Sequence, residues 1–499
     1  MSTTDNGIYD ARKLGYPKMA VLGAQHMFAM FGATVLVPAL TGLSVSATLL
    51  FAGLGTLLFH LITKRKVPAF LGSSFAFLAG YGAIAPNGEK ELLPYACLGV
   101  ACAGLLYLLL AALIKAFGTE RVMKFFPPIV TGPIIIAIGL TLAGTAVSSC
   151  STNWPIAVFA IAIVVLCNVC GKGMIKIVPI ILGVLSACLL AVILALTVSS
   201  QVDIGTEEMP NLVYAISGSP SLQLFDVAKV EAIKNAAWIG LPIKGSETVF
   251  SIFSSPDKAL IVSSIATIVP IALATIVEHV GDISAISSTT NINYVRDPGL
   301  HRTLTGDGLA TIVASLFGAP ANTTYGENTG VLSLTKVYDP RVIRLAAFFA
   351  IAFSFSPKLA ACITAIPTPV MGGISLVLYG MISAVGVRNV VESRIDFSKV
   401  RNVIIAALIL GLSVGIKYYD PSGSIILPIR PIDLPFTDLA IGFKADIPLT
   451  GLAVGAFIGI VLNAILPYDK EQEAATIKKN IDNSSVTSGK PKVKNGKKK

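Results

Sequence analysis

Twelve apolar stretches, each long enough to cross a lipid bilayer, constrain this chain more than any other feature. A helix needs roughly 20 residues to span about 30 Å of hydrocarbon. The stretches lie near residues 18–42, 44–62, 93–117, 129–147, 155–170, 174–199, 259–283, 303–318, 342–365, 369–387, 402–417 and 447–467. Charged residues make up only 13% of the 499 residues, too few to cover a water-soluble body of this size. We therefore predict an all-α polytopic membrane protein.

Two further segments, 67–84 and 321–337, are apolar but interrupted by polar and small residues, and counting them gives fourteen transmembrane segments. Cytoplasmic loops of membrane proteins carry an excess of Lys and Arg. If the N-terminus is cytoplasmic, the loops expected inside carry Lys64, Arg65, Lys66, Arg121, Lys124, Lys172, Lys176, Arg296, Arg302, Lys336, Arg341, Arg344, Arg388, Arg394 and Lys399. The short loops after the first, fifth and ninth segments carry none. The alternation predicts a multi-pass protein of the cell membrane with both termini in the cytoplasm.

The net charge of +10 and the cysteines do not point to nucleic acid or to a metal. From Asp469 onward the tail holds nine lysines against four acids. Such a basic tail beside a membrane favours anionic lipid headgroups over nucleic acid. Cys167 and Cys170 lie inside an apolar stretch with no second Cys or His pair nearby, whereas a structural zinc needs four converging ligands. We expect no disulfide, no metal and no cofactor.

Two pairs of similar segments indicate an internal repeat. The segment 72-GSSFAF-77 aligns with 322-NTTYGE-327, and 126-FPPIVTGPI-134 aligns with 366-IPTPVMGGI-374. The offsets are about half the chain, so each half would hold seven segments. Because seven is odd, the second copy enters the membrane from the opposite side. We predict a 7+7 inverted repeat, an architecture typical of secondary transporters.

The interrupted segments 67–84 and 321–337 are the strongest pointer to a transport site, because they occupy corresponding positions in the two halves. Thr323, Thr324 and Tyr325 favour extended backbone, and Gly326 has no side chain to keep a ligand away. Non-helical backbone at membrane depth is tolerated only where it lines protein or a cavity. We therefore predict a short half-strand followed by a half-helix in segments 3 and 10, with the two half-strands antiparallel near the midplane.

The few acids inside apolar stretches are candidate functional groups, because each carboxylate at a helix centre costs about 2.5–3.5 kcal/mol. Glu278 and Asp282 stand at i and i+4, on one face of a predicted helix, and Glu327 is the third acid. Like charges at that spacing repel, so one of the pair is expected to hold a proton part of the time unless a cation intervenes. His26 lies in the first segment and matches His279 of the second half.

Structural roles are the alternative for each of these groups. Glu278 and Glu327 could form a buried structural pair, and Asp282 could lie at a helix end. His26 could be a satisfied interhelical histidine. Pairing with another charge, snorkelling or placement at a helix end is enough to explain Asp307 and Lys358 without a role in a site.

The chemistry of the predicted site favours a neutral, planar substrate. Carboxylate acceptors, exposed backbone amides and the aromatic residues Phe75 and Tyr325 are present, with almost no fixed positive charge, which disfavours anions. A carboxylate accepts N–H groups and backbone N–H groups donate to carbonyls. No HExxH or GxSxG motif is present, so we expect no enzyme.

Five motifs together resemble the nucleobase–ascorbate transporter family over about residues 15–467: VPAFLGSSFAF, IVEHVGD, RDPGLHR, NTTYGENTGV and PTPVMGGISLVLYG. The resemblance implies fourteen segments, proton-coupled uracil uptake and, often, a homodimer. It implies a core domain at 18–117 (segments 1–4) and 259–365 (segments 8–11), and a gate domain at 128–199 (segments 5–7) and 366–467 (segments 12–14). Residues 1–17 and 468–499 would be cytoplasmic ends, and 200–258 an extracytoplasmic connection.

The resemblance also implies roles for individual residues. Glu278 would bind the uracil N–H groups. The backbones of Phe75 and Gly326 would contact the carbonyls, and Ala33 would line the pocket. Glu327, beside Tyr325, would couple substrate to proton, and His26 would lie near the site.

The chain departs from the family's pattern at one position. Bacterial members of the best-known type carry a histidine where Asp282 stands. Coupling to Na⁺ instead of H⁺ is therefore an open alternative, as are xanthine, uric acid or another pyrimidine as substrate.

Overall fold

The computed structural model describes residues 7–205, 211–419, 424–429, 432–433, 440–441 and 445–467, so the lysine-rich tail predicted at 468–499 lies outside the described residues. The fold is mostly helical. The helices before residue 240 are α1 Tyr16–Thr41, α2 Val45–Ile62, α3 Leu78–Ile84, α4 Leu93–Phe117, α5 Thr119–Met123, α6 Pro128–Ser151, α7 Trp154–Val169, α8 Met174–Ile177, α9 Pro179–Thr197 and α10 Val227–Asn235. Those after it are α11 Lys258–Ile268, α12 Ala272–Thr290, α13 Leu300–Leu316, α14 Gly326–Thr335, α15 Pro340–Ser354, α16 Pro357–Thr364, α17 Thr368–Glu392, α18 Val400–Tyr419 and α19 Gly451–Ile465.

Within the described residues, eight helices are long and apolar enough to cross a membrane, or nine if α15 and α16 count as one span. This agrees with a multi-pass membrane protein. The count of fourteen segments stays a prediction. Helices α7 and α19, with 16 and 15 residues, are shorter than the roughly 20 residues that a span needs, and the two interrupted segments are not continuous helices.

The fold is mostly helical, as expected, but the described residues contain more strands than the two half-strands that the sequence predicts. They are β1 Leu71–Ser73, β2 Ser199–Asp203, β3 Leu212–Ile216, β4 Ser219–Asp226, β5 Asn322–Thr324, β6 Ser424–Ile429, β7 Ile432–Asp433, β8 Ala440–Ile441 and β9 Ala445–Thr450. Strands β2, β3 and β4 form an antiparallel sheet, and β6 pairs with β9. The alternation of buried and more exposed residues in β3 explains why this segment forms a strand. Val213 and Ala215 are buried while their neighbours are more exposed, a period of two that indicates a strand.

The apolar stretch 342–365, expected to be a single span, is bent by 89° between α15 and α16. Pro357 opens α16, and a residue that precedes proline is disfavoured in helical conformation. Ser356 is accordingly extended, with φ −110° and ψ 93°, and its side chain accepts a hydrogen bond from the Leu359 amide. The serine cap at Ser356 and the proline that follows it therefore account for the break.

The helices pack closely where glycines face a neighbouring backbone. A Cβ atom at Gly53 of α2 would lie 2.6 Å from the carbonyl oxygen of Ala347 in α15. At Gly139 of α6 it would collide with the carbonyl oxygen of Tyr379 in α17. Membrane helices associate through such small residues because lipid offers little hydrophobic drive between helices.

The N-terminal residues lie against the loop that follows α14. The Ile8 amide donates to Lys336 O at 2.8 Å, and the Tyr338 amide donates to Ile8 O at 2.8 Å. The Tyr9 hydroxyl donates to Thr290 O at the end of α12. Residues 8–9 therefore lie on the same face of the protein as the ends of α12 and α14.

We predict that Gly139→Ala destabilises the fold, because its methyl group would meet the α17 backbone. Overpacking of this kind costs about 1–3 kcal/mol. Thermal unfolding of the purified protein in detergent, followed by loss of the monodisperse peak, should show a lower midpoint.

Gly411→Ala in α18 is the matched control, because a Cβ atom there has no neighbour within 4 Å. Its midpoint should be no lower than that of the unaltered protein, because alanine favours a helix interior over glycine. Equal midpoints for the two variants would contradict the close-packing argument.

Candidate functional site

Strands β1 and β5 pair antiparallel in the interior of the protein. Leu71 faces Thr324, Gly72 faces Thr323 and Ser73 faces Asn322. The pairing extends beyond the strands, because the Ser74 amide donates to Ala321 O at 2.8 Å and the Tyr325 amide donates to Phe70 O at 3.1 Å. All six strand residues are buried.

Threonines on neighbouring helices form hydrogen bonds with backbone groups on the outer edges of this strand pair. Thr56 of α2 accepts from the Leu71 amide at 2.9 Å and donates to Leu71 O at 3.3 Å. Thr311 of α13 donates to Asn322 O at 2.8 Å. The Asn322 side chain in turn donates to Phe51 O at 2.9 Å. Each edge of the two-stranded pair thus has a partner where water is excluded.

Tyr325 braces the two strands. Its hydroxyl donates to Ser73 O at 2.8 Å and accepts from Thr34 Oγ1 at 3.3 Å. A Cβ atom at Gly72 would lie 2.5 Å from the Tyr325 ring, so glycine is required where the ring crosses β1. The side chain is only 4% exposed. Tyr325 therefore acts on the site through the strands it holds.

Helix α14 begins directly after β5, with its first turn open. Tyr325 is extended, with φ −109° and ψ 122°, and no side chain caps the helix. The first amides of a helix have no partner within it, and no described acceptor meets the Gly326 amide, so this amide is available as a donor. Gly326 is exposed and Glu327 half-buried. Negative charge is also favoured at this end of a helix.

Two acids of α12 lie beside this opening. Asp282 Oδ2 accepts a hydrogen bond from Thr324 Oγ1 at 2.8 Å, and its Oδ1 lies 3.8 Å from the position of a Cβ atom on Gly326. Glu278, one helical turn earlier, is half-buried and within electrostatic range of Glu327. No described residue donates a hydrogen bond to the Glu278 carboxylate, which leaves its oxygens available to a ligand.

A second layer behind these acids contains residues that the sequence did not single out as a site. His279 Nδ1 lies 3.0 Å from Asp307 Oδ2 of α13, and both side chains are fully buried. His279 Nδ1 also lies 3.4 Å from Thr324 Oγ1. Pairing was one of three structural explanations expected for Asp307, beside snorkelling and placement at a helix end, and His279 lies within ion-pair distance of it. The signal that could have located it was the position of an acid within TLTGDGLATIV, inside an apolar stretch.

The remaining expected site residues lie in α1 and directly after β1. His26 is fully buried, with its Nδ1 3.3 Å from Asn328 Nδ2. In the described part of the chain no hydrogen bond joins it to an acid. Ala33 is fully buried in α1. Phe75, 7% exposed, follows β1 and packs edge-on against Tyr379 of α17 with ring centroids 5.9 Å apart.

The structure thus brings Glu278, Asp282, Gly326 and Glu327 together, while His26 contacts Asn328 and Ala33 lies buried in α1. Among the described residues, none of the three acids forms an ion pair with Lys or Arg. No group of three or more His, Cys, Asp or Glu side chains there is arranged to hold a metal ion. The arrangement can accept N–H groups on its acids and offer backbone N–H groups to an acceptor, as a polar uncharged ligand requires.

Comparison with known proteins agrees on family and fold. Residues 17–421 match the permease family. The chain is 38% identical over 455 residues to the uracil permease of Bacillus caldolyticus, covering 89% of this chain and 91% of that protein. It is 38% identical over 404 residues to the uracil permease of Escherichia coli K12, covering 79% and 83%.

The fold is also similar to that of the transmembrane domain of a cyanobacterium bicarbonate transporter, BicA. The TM-score is 0.53 at 12% identity, over 92% of this chain and 99% of that one. The relatives are permeases and not enzymes. The chain belongs to the permease family of nucleobase–ascorbate transporters.

Proposed function

We propose that the protein is a uracil permease that carries uracil across the plasma membrane together with a proton. One observation supports this most. No described residue donates a hydrogen bond to the Glu278 carboxylate, which lies within electrostatic range of Glu327 in the uncapped first turn of α14. Two relatives of this chain are named uracil permeases, which favours uracil over other small polar molecules.

Uracil matches the donors and acceptors of the site. Its ring carries N–H groups next to carbonyl groups. The Glu278 carboxylate accepts the N–H groups, and the backbone at Gly326 and Phe75 meets the carbonyls. Ala33 limits the depth of the pocket, and Tyr325 keeps the strands in position.

Proton coupling is assigned to Glu327, with Asp282 and His26 as further contributors. Glu278, Asp282 and Glu327 interact electrostatically, and none is paired with a cation among the described residues. Three negative charges this close would repel strongly in a site of low dielectric constant. A proton that enters with the substrate relieves this repulsion and so links the two fluxes.

We further propose fourteen segments in a 7+7 inverted repeat. The helix packing supports it, because the contacts occur in matching pairs. The contact of α4 with α13 corresponds to that of α15 with α2, and the contact of α7 with α9 corresponds to that of α18 with α19. The antiparallel pairing of β1 with β5 relates the two interrupted segments in the same way.

The same correspondence supports the two domains. The core would comprise residues 18–117 and 259–365, and the gate 128–199 and 366–467. The most extensive gate contact joins α6 with α17, and the most extensive core contact joins α4 with α13. We propose that uptake proceeds by alternating access, with the core moving against the gate.

The proposal for sidedness places both termini in the cytoplasm and residues 200–258 outside. Packing of residues 8–11 against the loop after α14 supports a common face for the N-terminus and the Lys- and Arg-bearing loops. A homodimer is proposed from the family resemblance alone.

Na⁺ coupling is the second candidate, favoured by one observation. An acid, Asp282, stands beside Glu278 and Gly326 where the family pattern has histidine. Xanthine, uric acid and other pyrimidines are alternative substrates, which competition against labelled uracil would rank.

Glu278→Gln is predicted to weaken uracil binding strongly. The change replaces a charged acceptor, and hydrogen bonds to charged groups contribute about 1.5–3 kcal/mol. Equilibrium binding of radiolabelled uracil to purified protein should therefore show an affinity lower by roughly one to two orders of magnitude. Glu120→Gln, in the exposed helix α5, should bind like the unaltered protein. Undiminished binding by Glu278→Gln would rule out its assigned role.

Glu327→Gln is predicted to abolish uracil accumulation driven by a pH gradient, because glutamine cannot carry the coupled proton. Proteoliposomes with an imposed gradient give the measurement. Equal accumulation by this variant and by Glu120→Gln would refute the coupling role.

Asp282→Asn and Asp282→His separate the two candidate ions. If coupling uses H⁺, uptake at constant pH should not respond to a Na⁺ gradient in the unaltered protein or in either variant. If uptake by the unaltered protein requires Na⁺ and Asp282→His removes that requirement, the proton assignment is wrong.

A further inference from the structure

The loop after α10 carries three apolar side chains that the protein leaves uncovered. Trp238 is 75% exposed, Ile239 83% and Leu241 83%. These three residues with Gly240 form the WIGL tip, residues 238–241. An exposed apolar patch of this kind marks an interaction surface.

The WIGL tip is held in place by the bend between α15 and α16. The Gly240 amide donates to Phe355 O at 2.9 Å, and the Lys358 amide donates to Ala237 O at 2.9 Å. A Cβ atom at Gly240 would lie 2.7 Å from the Pro357 ring. The tip is therefore fixed to the end of a helix of the membrane-spanning body.

The surface of α15 beneath this bend is apolar and uncovered. Phe348 is 56% exposed and Phe355 40%. Phe355 directly follows α15 and stands seven residues after Phe348, so the two rings lie on the same side, about 10 Å apart along the helix axis. The WIGL tip continues this lipid-facing surface beyond the end of α15.

The chemistry around the tip is typical of the boundary between lipid and water. Lys358 Nζ lies 5.7 Å from the centre of the Trp238 ring and donates to Lys234 O at 3.1 Å. Tryptophan is enriched at membrane interfaces, where its ring lies among the headgroups, and lysine extends its charged end towards water there.

We infer that the WIGL tip inserts into the adjacent leaflet of the bilayer, with Trp238, Ile239 and Leu241 among the headgroups and upper acyl chains. The loop then anchors the bend between α15 and α16 at the membrane surface. This inference does not depend on the identity of the substrate.

Tryptophan fluorescence tests the insertion directly. The chain has two tryptophans, so Trp154→Phe leaves Trp238 as the sole emitter in the full-length protein. The variant is reconstituted into vesicles whose phosphatidylcholine is brominated either near the glycerol or near the methyl end of the acyl chains. We expect blue-shifted emission and stronger quenching by the shallow bromine than by the deep one.

The variant Trp238→Phe keeps only Trp154 and gives the quenching of a tryptophan at the start of a membrane helix for comparison. Trp154 begins the apolar helix α7 and is 43% exposed. Absence of quenching of Trp238 by either lipid would overturn the inference. So would shielding of Trp238 from aqueous acrylamide and from bromine alike, which would indicate a second copy of the chain on this surface.

Leu241→Asp in the Trp154→Phe background tests whether the tip inserts as a unit. The carboxylate should withdraw the tip, so that Trp238 loses most of its quenching by shallow bromine and becomes accessible to acrylamide. Leu212→Asp, at a 45% exposed position of β3, should leave both signals unchanged. Unaltered quenching in Leu241→Asp would show that the tip does not insert as a unit. A monodisperse elution profile for each variant shows that its fold is retained.

Discussion

The pairing of β1 with β5 is the constraint on which the rest of the structure depends. Backbone N–H and C=O groups that leave a helix away from water must find partners, at a cost of several kcal/mol for each group that does not. Here they find them across the pair and on Thr56 and Thr311 of the flanking helices. The first and second halves of the chain are thereby joined at their interrupted segments, and α14 can start in the interior of the protein.

That arrangement also explains why acids can lie so deep. A helix that starts in the interior directs unpaired amides at its surroundings, which favours negative charge nearby. Asp282 is held by Thr324, a residue of β5 itself, so the position of the acid is tied to the strand pair. Thr324 lies close to His279 as well, and His279 meets Asp307. The strand therefore contacts two layers of ionisable side chains, an outer one of half-buried acids and an inner one, His279 with Asp307, that is fully buried.

The sequence predicted features that depend on the residues of one segment, such as its apolar length or an acid within it. It did not predict contacts between residues that are distant along the chain. Apolar length indicated a multi-pass protein, and the scarcity of charge made Glu278, Asp282 and Glu327 visible as candidates. The sheet in 199–226 was not predicted from the sequence, although β3 carries a period of two, because strands of five to eight residues are far shorter than a membrane span. Tyr325 was expected to line the site. Its role as a brace depends on Gly72, Ser73 and Thr34, which are remote in sequence, and no local pattern indicates such contacts.

The placement of Phe75 and Glu278 bears on how a site of this kind would change access. Glu278 lies on α12, the helix that carries the strand-bound Asp282, so it belongs to the same unit as the strand pair. Phe75 follows β1 directly, yet its ring packs on Tyr379 of α17, in the proposed gate. Gly32 of α1 meets Ile180 of α9 at a second close contact between the proposed domains. In the proposed alternating-access mechanism, a ligand on Glu278 would rest on the proposed core, and Phe75 and Gly32 would meet the proposed gate. Displacement of the gate would then alter access to the ligand while the hydrogen bond between Thr324 and Asp282, within the proposed core, is kept.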